Sequence, residues 1–406
     1  EDDRLMETTD LISLFIGTLN AGVTQWRMNN FVQAAYRNRT ADFYLPFWDK
    51  NQNDVARWQF DLAAHELKPR IMGELNDHIQ KADIVVMGMI HTPEALNLFH
   101  SIRGAYKHIP VVVECDDNFV STSVGNPAHD SYAPGTAFRE LAIDQFRSAD
   151  AMVVTTPYLK MVYSDFCDDV RVVPNCIDFS VWDKVQRVRK PGIRIGWAGG
   201  ASHNDDLKII EPAVHQILAK HPDVTFVFVH GIPQFFKDIK RIECVQKFER
   251  IDKYPRFLGR QDFDIGLAPL VDDAFNRSKS NLRWLEYSAL KVPTVASNVG
   301  HFKATIRNGE DGLLVENGDW FAALESLIKD TAKRKAMGKA AYARIRKDFN
   351  VDIETEKYAQ ILSEISLRGQ KSEEVKDYYA DTVLARGINP NCSLLTQIPA
   401  GEVISE

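Results

Sequence analysis

Short apolar runs of strand length recur along the chain, and most are followed by a loop and then by a longer segment whose apolar residues fall at helical spacing. That alternation marks parallel βα units. In the first half it predicts strands at Leu11–Ile16, Ile84–Met87, Val111–Glu114 and Ala151–Thr155, with helices at Gln25–Tyr36, Trp58–Gln80 and Ala137–Arg147. The run Val172-Val173-Pro174-Asn175-Cys176-Ile177-Asp178 then sets a proline and an Asx turn after a short strand, as a hinge between domains would. Past the charged stretch Asp183–Pro191 a second series opens at Ile193–Gly200. It continues with strands Val224–Val229, Ile265–Ala268, Thr294–Ser297 and Gly312–Val315 and helices Leu207–Lys220, Asn281–Leu290 and Phe321–Ile328. Two doubly wound α/β halves are expected, residues 1–178 and 179–350, with a helix at Ile353–Ser366 inside a C-terminal portion 351–406.

Composition agrees with that division. A chain of 406 residues, 45% apolar and 26% charged, has the length of two globular domains. A net charge of −7 with both signs intermixed makes no field aimed at nucleic acid or a membrane surface. The five cysteines, Cys115, Cys167, Cys176, Cys244 and Cys392, contain no CxxC pair for zinc or redox work, so a reducing, cytoplasmic setting is expected. No apolar run approaches the roughly 20 residues of a membrane-spanning helix. The opening Glu1-Asp2-Asp3-Arg4 lacks the regions of a secretory signal and reads as a trimmed chain.

In a doubly wound sheet ligands sit beyond the carboxyl ends of the strands, which directs attention to four loops. Gly17-Thr18-Leu19-Asn20-Ala21-Gly22-Val23 leads into a helix carrying Arg27; Gly17 and Gly22 let backbone N–H groups approach a phosphate or sugar, or simply turn the chain. Gly199-Gly200-Ala201-Ser202-His203-Asn204-Asp205-Asp206 holds the same place in the second half. There Gly199, Gly200, Ser202, His203 and a helix start make a cradle for a diphosphate, or Asn204 or Asp205 is only an N-cap. In the third loop, Asn276 to Tyr287, a helix beginning near Ser278 would put Lys279 and Glu286 on one face, about 10 Å apart along the axis. Lys279 would meet phosphate oxygens and Glu286 the ribose hydroxyls, with Ser280 and Asn281 beside them. The alternative there is an Arg283–Glu286 pair on a solvated face. The fourth, Glu114-Cys115-Asp116-Asp117-Asn118, offers carboxylates to orient a sugar, to stabilise charge at an anomeric carbon or to bind a divalent metal, or it is a solvated strand end. His91, after Ile84–Ile90, is a further candidate to polarise sugar or acceptor.

Taken in order, the early glycine loop with Arg27, the hinge Pro174–Asp178, the second glycine loop, Asp264–Leu270, Lys279–Ser297, Gly300 and Asn308–Val315 resemble the GT-B glycosyltransferases, in particular glycosyltransferase family 4. The resemblance runs from Leu11 to about Ser366. It implies two Rossmann-like domains facing across a cleft, a nucleotide-sugar donor of the UDP or GDP type held mainly by the second, and an acceptor held mainly by the first. It also implies retention of anomeric configuration, no catalytic metal and no permanently bound cofactor. The chain departs from the family where Ser278 replaces the first of two glutamates, where Ser202 and His203 stand in a region that often carries Arg and Lys, and where Cys176 replaces the hinge glycine. These changes gather at the sugar and diphosphate, so they bear on the donor rather than the fold, and Lys279 is the residue to supply the missing charge.

The leading expectation is a transferase in which Lys279, two helix N-termini and the glycine loops stabilise the departing diphosphate while Asp116, Asp117 and His91 orient sugar and acceptor. A metal-dependent enzyme using the acids of 114–118, a nucleotide-sugar-binding module without turnover and a nucleotide-sugar 2-epimerase are the alternatives. The acceptor is left open among a glycan, a lipid, a small molecule, a protein and a modified DNA base.

Overall fold

The computed structural model describes residues 11–16, 21–44, 75–90, 93–124, 126, 128–200, 203–229, 231–245, 251–316 and 318–369. Two compact units emerge. One is Glu1–Asp116 with Gly135–Val173 and Asp352–Glu406; the other is Asp117–Pro134 with Pro174–Val351. The chain thus passes to the second unit at 174, where the sequence pattern placed the change at 178, and 117–134 goes with the second unit.

In the first unit β1 (Ile12–Ile16), β2 (Asp42–Tyr44), β3 (Ile84–Gly88), β4 (Val111–Cys115), β5 (Ala151–Val154) and β6 (Val170–Val172) form a parallel sheet of order β2-β1-β3-β4-β5-β6. Every position of β3, β4 and β5 is buried, because a parallel strand covered on both faces has no solvent side for a polar residue to occupy. Their register pairs Val85 with Val111 and Val112 with Ala151. Helix α1 (Asn30–Asn38) is entered through Ala21–Thr24 and a π-helical turn, Gln25–Asn29, that buries Trp26, Arg27, Met28 and Asn29. Helix α2 (Pro93–Ala105), which the apolar pattern did not single out, is followed by α3 (Ala137–Ser148) and α4 (Pro157–Tyr163). The α4 start is set locally: Pro157 opens it without needing a donor, and the Thr156 hydroxyl accepts the Leu159 N–H. The helix Val351–Gly369 completes this unit from Asp352 onward. Its Tyr358 ring sits edge-on to Phe15, Phe31 and Phe43 at centroid separations of 5.8, 5.2 and 5.7 Å, favourable geometry for aromatic pairs.

In the second unit β7 (Ile193–Ala198), β8 (Val224–Val229), β9 (Ile242–Val245), β10 (Ile265–Ala268), β11 (Thr294–Ser297) and β12 (Leu313–Val315) give a parallel sheet of order β12-β11-β10-β7-β8-β9. The order reverses between β7 and β10, and in such sheets that switch point is where a ligand crevice opens. Helices of this unit include α5 (Asn204–Lys208), α6 (Glu211–Lys220), α7 (Tyr254–Gln261), α8 (Ala274–Ser278), α9 (Leu282–Ala289), α10 (Trp320–Lys329) and α11 (Thr331–Asp348). Tyr287 of α9 ties the switch point together. Its hydroxyl accepts the Ala198 N–H at 3.1 Å and donates to the Leu267 carbonyl at 3.2 Å, while its ring lies so close to Gly266 that a Cβ there would come within 2.3 Å of it.

Two predicted helices are corrected. Leu207–Lys220 is two helices, α5 and α6, parted at Ile209 and Ile210 because Pro212 belongs in a first turn. The helix expected from about Ser278 does not contain Lys279. Asp273 caps α8 by accepting the Asn276 N–H at 2.8 Å, α8 ends at Ser278, Lys279 turns to an extended ψ of 140°, and α9 starts at Leu282. Lys279 and Glu286 therefore do not share a helix face. The charged stretch before β7 is anchored: Arg187 and Arg189 converge on the buried Asp262. Among the described residues no helix is long and apolar enough to cross a membrane.

Candidate functional site

The second glycine loop leaves β7 at the switch point, and its chemistry is set by what α9 brings to it. Gly199 has to be glycine, since a Cβ there would lie 2.5 Å from the Trp197 ring and 2.7 Å from both terminal nitrogens of Arg283. At Gly200 a Cβ would meet nothing within 4 Å among the described residues. The half-buried Arg283 guanidinium lies 5.2 Å from the Trp197 ring centre, with Nη2 3.4 Å from His203 Nε2. Among the described residues it forms no ion pair. A guanidinium stacked on indole and left without a carboxylate is a cation available to an anion.

His203 is held by its other nitrogen. Nδ1 lies 2.7 Å from Asp206 Oδ2, and Asp206 Oδ1 accepts the Asn276 side-chain amide at 2.8 Å and the Val271 N–H at 2.7 Å. Burial keeps the imidazole below its ordinary pKa, helped by the charges of Arg283 and Lys279 and opposed by the bond to Asp206. A neutral ring that donates from Nδ1 presents Nε2 as an acceptor toward Arg283. The network thereby fastens the β7 loop to the β10 loop across the switch point, and His203, although it is the N-cap residue of α5, does no capping with its side chain.

Glu286 is buried on α9. Its Oε2 accepts the Tyr254 hydroxyl at 3.0 Å, and burial raises its pKa to about 7 against the Arg283 charge and the tyrosine bond. The alternative of a solvated Arg283–Glu286 surface pair is thus removed. Burial with Glu286 as neighbour also raises Tyr254, which stays a donor. Asn281, fully buried at the start of α9, has no hydrogen-bond partner for either its amide nitrogen or oxygen among the described residues. Ser280 is engaged: its Oγ accepts the Asn175 side-chain amide at 2.8 Å. Lys279 is engaged as well, with Nζ 2.6 Å from Asp117 Oδ1 and 4.3 Å from the Phe275 ring centre.

The structure thus brings Gly199, Gly200, His203, Lys279, Asn281 and Glu286 into one unit, with Arg283 acting electrostatically on both His203 and Glu286. The acidic run is divided. Glu114 points into the first unit, where the fully buried Arg27 Nε meets its Oε1 at 2.5 Å and Arg27 Nη2 donates to the Val173 carbonyl at 2.8 Å. Arg27 is therefore a buried structural cation and not an open ligand of the first glycine loop. Asp116 remains with the first unit, its carbonyl accepting Thr155 Oγ1, and Asp117 goes with the second. Gly22 lies in the helix Ala21–Thr24; Gly17, His91 and Ser202 lie outside the described residues. Sequence reasoning missed Arg283 as a site cation and Tyr254 altogether. Arg283 carried one signal, its place one turn before Glu286; Tyr254, ahead of Pro255 at a helix start, carried none.

Comparison with known proteins places the fold in a class. The fold is that of the GT-B glycosyltransferases: the structure of Anabaena HepE in complex with UDP and glucose is similar over 87% of this chain and all of that one, with a TM-score of 0.59 at 14% identity. More particularly, residues 192–331, which hold the whole β7–β10 site, match the family described as Glycosyl transferases group 1. The chain is also similar to the capsular polysaccharide biosynthesis glycosyltransferase CapM of Staphylococcus aureus, 36% identical over 72 residues, 17% of this chain and 19% of CapM. A D-inositol 3-phosphate glycosyltransferase of Corynebacterium urealyticum is 26% identical over 164 residues, 36% of this chain and 37% of the relative. The similarity thus spans well under half the length of these curated relatives.

Proposed function

We propose that the chain is a glycosyltransferase whose second unit holds a nucleoside diphosphate sugar of the UDP or GDP type, and that it passes the sugar to an acceptor with retention of configuration and without a catalytic metal. The observation that carries the reading is Arg283, a guanidinium without an ion pair among the described residues, set against Gly199 at the switch point of the second sheet. Transfer makes a bond from the acceptor oxygen to the anomeric carbon as the bond to the diphosphate breaks, and the charge left on the diphosphate has to be met by fixed cations and donors. Arg283 and Lys279 supply the charge, the Gly199–Gly200 backbone gives close approach, and Glu286 takes a ribose hydroxyl. The group 1 match over 192–331 and relatives named as glycosyltransferases support the reading. Asp116 and His91 stay assigned to sugar and acceptor, the acceptor being a glycan, lipid, small molecule, protein or modified DNA base.

A thermal-shift panel of UDP-, GDP-, ADP- and dTDP-sugars tests the donor, since a ligand at 100 times its Kd adds about 2.7 kcal/mol. A panel without any shift would sink the donor reading. Chelator leaves transfer unchanged if Arg283 and Lys279 carry the phosphate charge; loss with EDTA and recovery with Mn²⁺ or Mg²⁺ would overturn the metal-free mechanism. Ser278, standing where the resembled family has a glutamate and donating to the Ala274 carbonyl, favours a second reading, donor binding without turnover. Measured donor hydrolysis or transfer separates the two.

A further inference from the structure

Lys279, the cation the sequence singles out, does not present a free charge. Asp117 Oδ1 is 2.6 Å from its Nζ, and the Phe275 ring lies on it as well. The acid is delivered by a fixed loop. Asn118 donates to Ser278 Oγ at 2.9 Å, its Oδ1 accepts the N–H groups of Val120 and Ser121, and Ser123 donates to Asp273 at 2.8 Å, so residues 118–123 are moored at both ends of α8. The pair is nonetheless open to solvent, the two side chains being 19% and 31% exposed.

We propose that Asp117 is a displaceable counter-ion: it pairs with Lys279, and the diphosphate of a bound donor takes its place. The inference rests on the reading of this site as a donor site. Magnitudes favour the exchange. A partly exposed ion pair between side chains is weak, whereas a charge-assisted bond to a phosphate oxygen is among the strong hydrogen bonds. A doubly charged ligand also leaves no reason for a neighbouring carboxylate to stay. The consequence is a ligand affinity set partly by competition, in which the acid opposes binding although it touches the binding cation.

The test is a double-mutant cycle read by calorimetry, with UDP, GDP and inorganic pyrophosphate as probes. Asp117→Asn keeps the shape and removes the competing charge, so pyrophosphate and the accepted nucleotide bind about threefold to fivefold tighter. In a Lys279→Met background the same change does nothing, and Asp117→Glu, which keeps the pair, binds as the unsubstituted chain does. Unchanged or weaker binding by Asp117→Asn overturns the exchange, and so does tightening that survives without Lys279. Asp117→Ser serves if melting curves show the Asn variant misfolded. Tightening for pyrophosphate with no nucleotide binding would keep the exchange and remove the donor reading; no binding of any probe by any variant removes both.

Discussion

Two arginines, one in each unit, show how a cation near a glycine loop becomes structural or chemical. Arg27 is entirely buried, its charge answered by Glu114 and a further bond directed to the Val173 carbonyl. Arg283 is half-buried, lies over Trp197 beside a neutral histidine, and forms no ion pair among the described residues. Arg27 comes after the first glycine loop in the sequence and Arg283 packs against Gly199 of the second, yet only Arg283 has charge to offer. Proximity to a glycine loop is therefore not the criterion; what decides is whether a fully buried carboxylate already answers the cation, as Glu114 answers Arg27.

The contrast can be broken most forcefully at Arg27. Arg27→Met leaves Glu114 buried without its cation and should cost about 3–5 kcal/mol, measured by urea unfolding, whereas Arg283→Met should change stability by less than about 1 kcal/mol. A mild effect at Arg27 would refute its role as a buried structural cation. Next in size is the pH response of Glu286. Its folded pKa of about 7 stands above the usual 4.5, so the folded chain binds that proton more tightly. The stabilisation is full below 4.5 and is lost as pH rises through 7, about 3 kcal/mol in all. Donor affinity runs the other way and rises through the same range as the carboxylate forms. Glu286→Gln should flatten both curves between pH 5 and 8, and a variant that kept either slope would move the titration elsewhere.

Arg283→Met should weaken pyrophosphate and nucleotide binding by about 10- to 100-fold, one charge-assisted contact's worth, with the melting curve nearly unmoved. Equal affinity in isothermal titration would refute the role drawn from the comparison. The smallest effect belongs to Tyr254→Phe. Losing its bond to Glu286 should shift the pH midpoint of donor binding upward and cost roughly fivefold in affinity at neutral pH. An unshifted midpoint would make Tyr254 a packing residue only.

Much of the fold was legible because parallel strands advertise themselves. Val224–Val229, Ile265–Ala268 and Thr294–Ser297 are uninterrupted runs with the bounds read from the sequence. β9 was missed because an edge strand exposes Glu243 and Cys244 and has no such run. The site was legible in its loops but not in its partners. Spacing put Lys279 and Glu286 on one helix, yet the segment breaks at 279–281, where Asn118 and Asn175 bond Ser278 and Ser280 from far along the chain. Nothing within 276–287 encodes those bonds. In the same way Arg27 and Glu114 are 87 positions apart, and only the sheet brings them together.

The seat of Tyr358 among Phe15, Phe31 and Phe43 also fixes an order of events during synthesis. At roughly 5–20 residues added per second, roughly 20 to 70 s separate the emergence of Phe15 from that of Tyr358. Throughout that interval the patch of Phe15, Phe31 and Phe43 lacks its Tyr358 partner, and by its end every strand of the second sheet has been made. The later-made half can therefore reach its native packing first, and the earlier-made half, with its aromatic patch uncovered, is the portion a chaperone would meet.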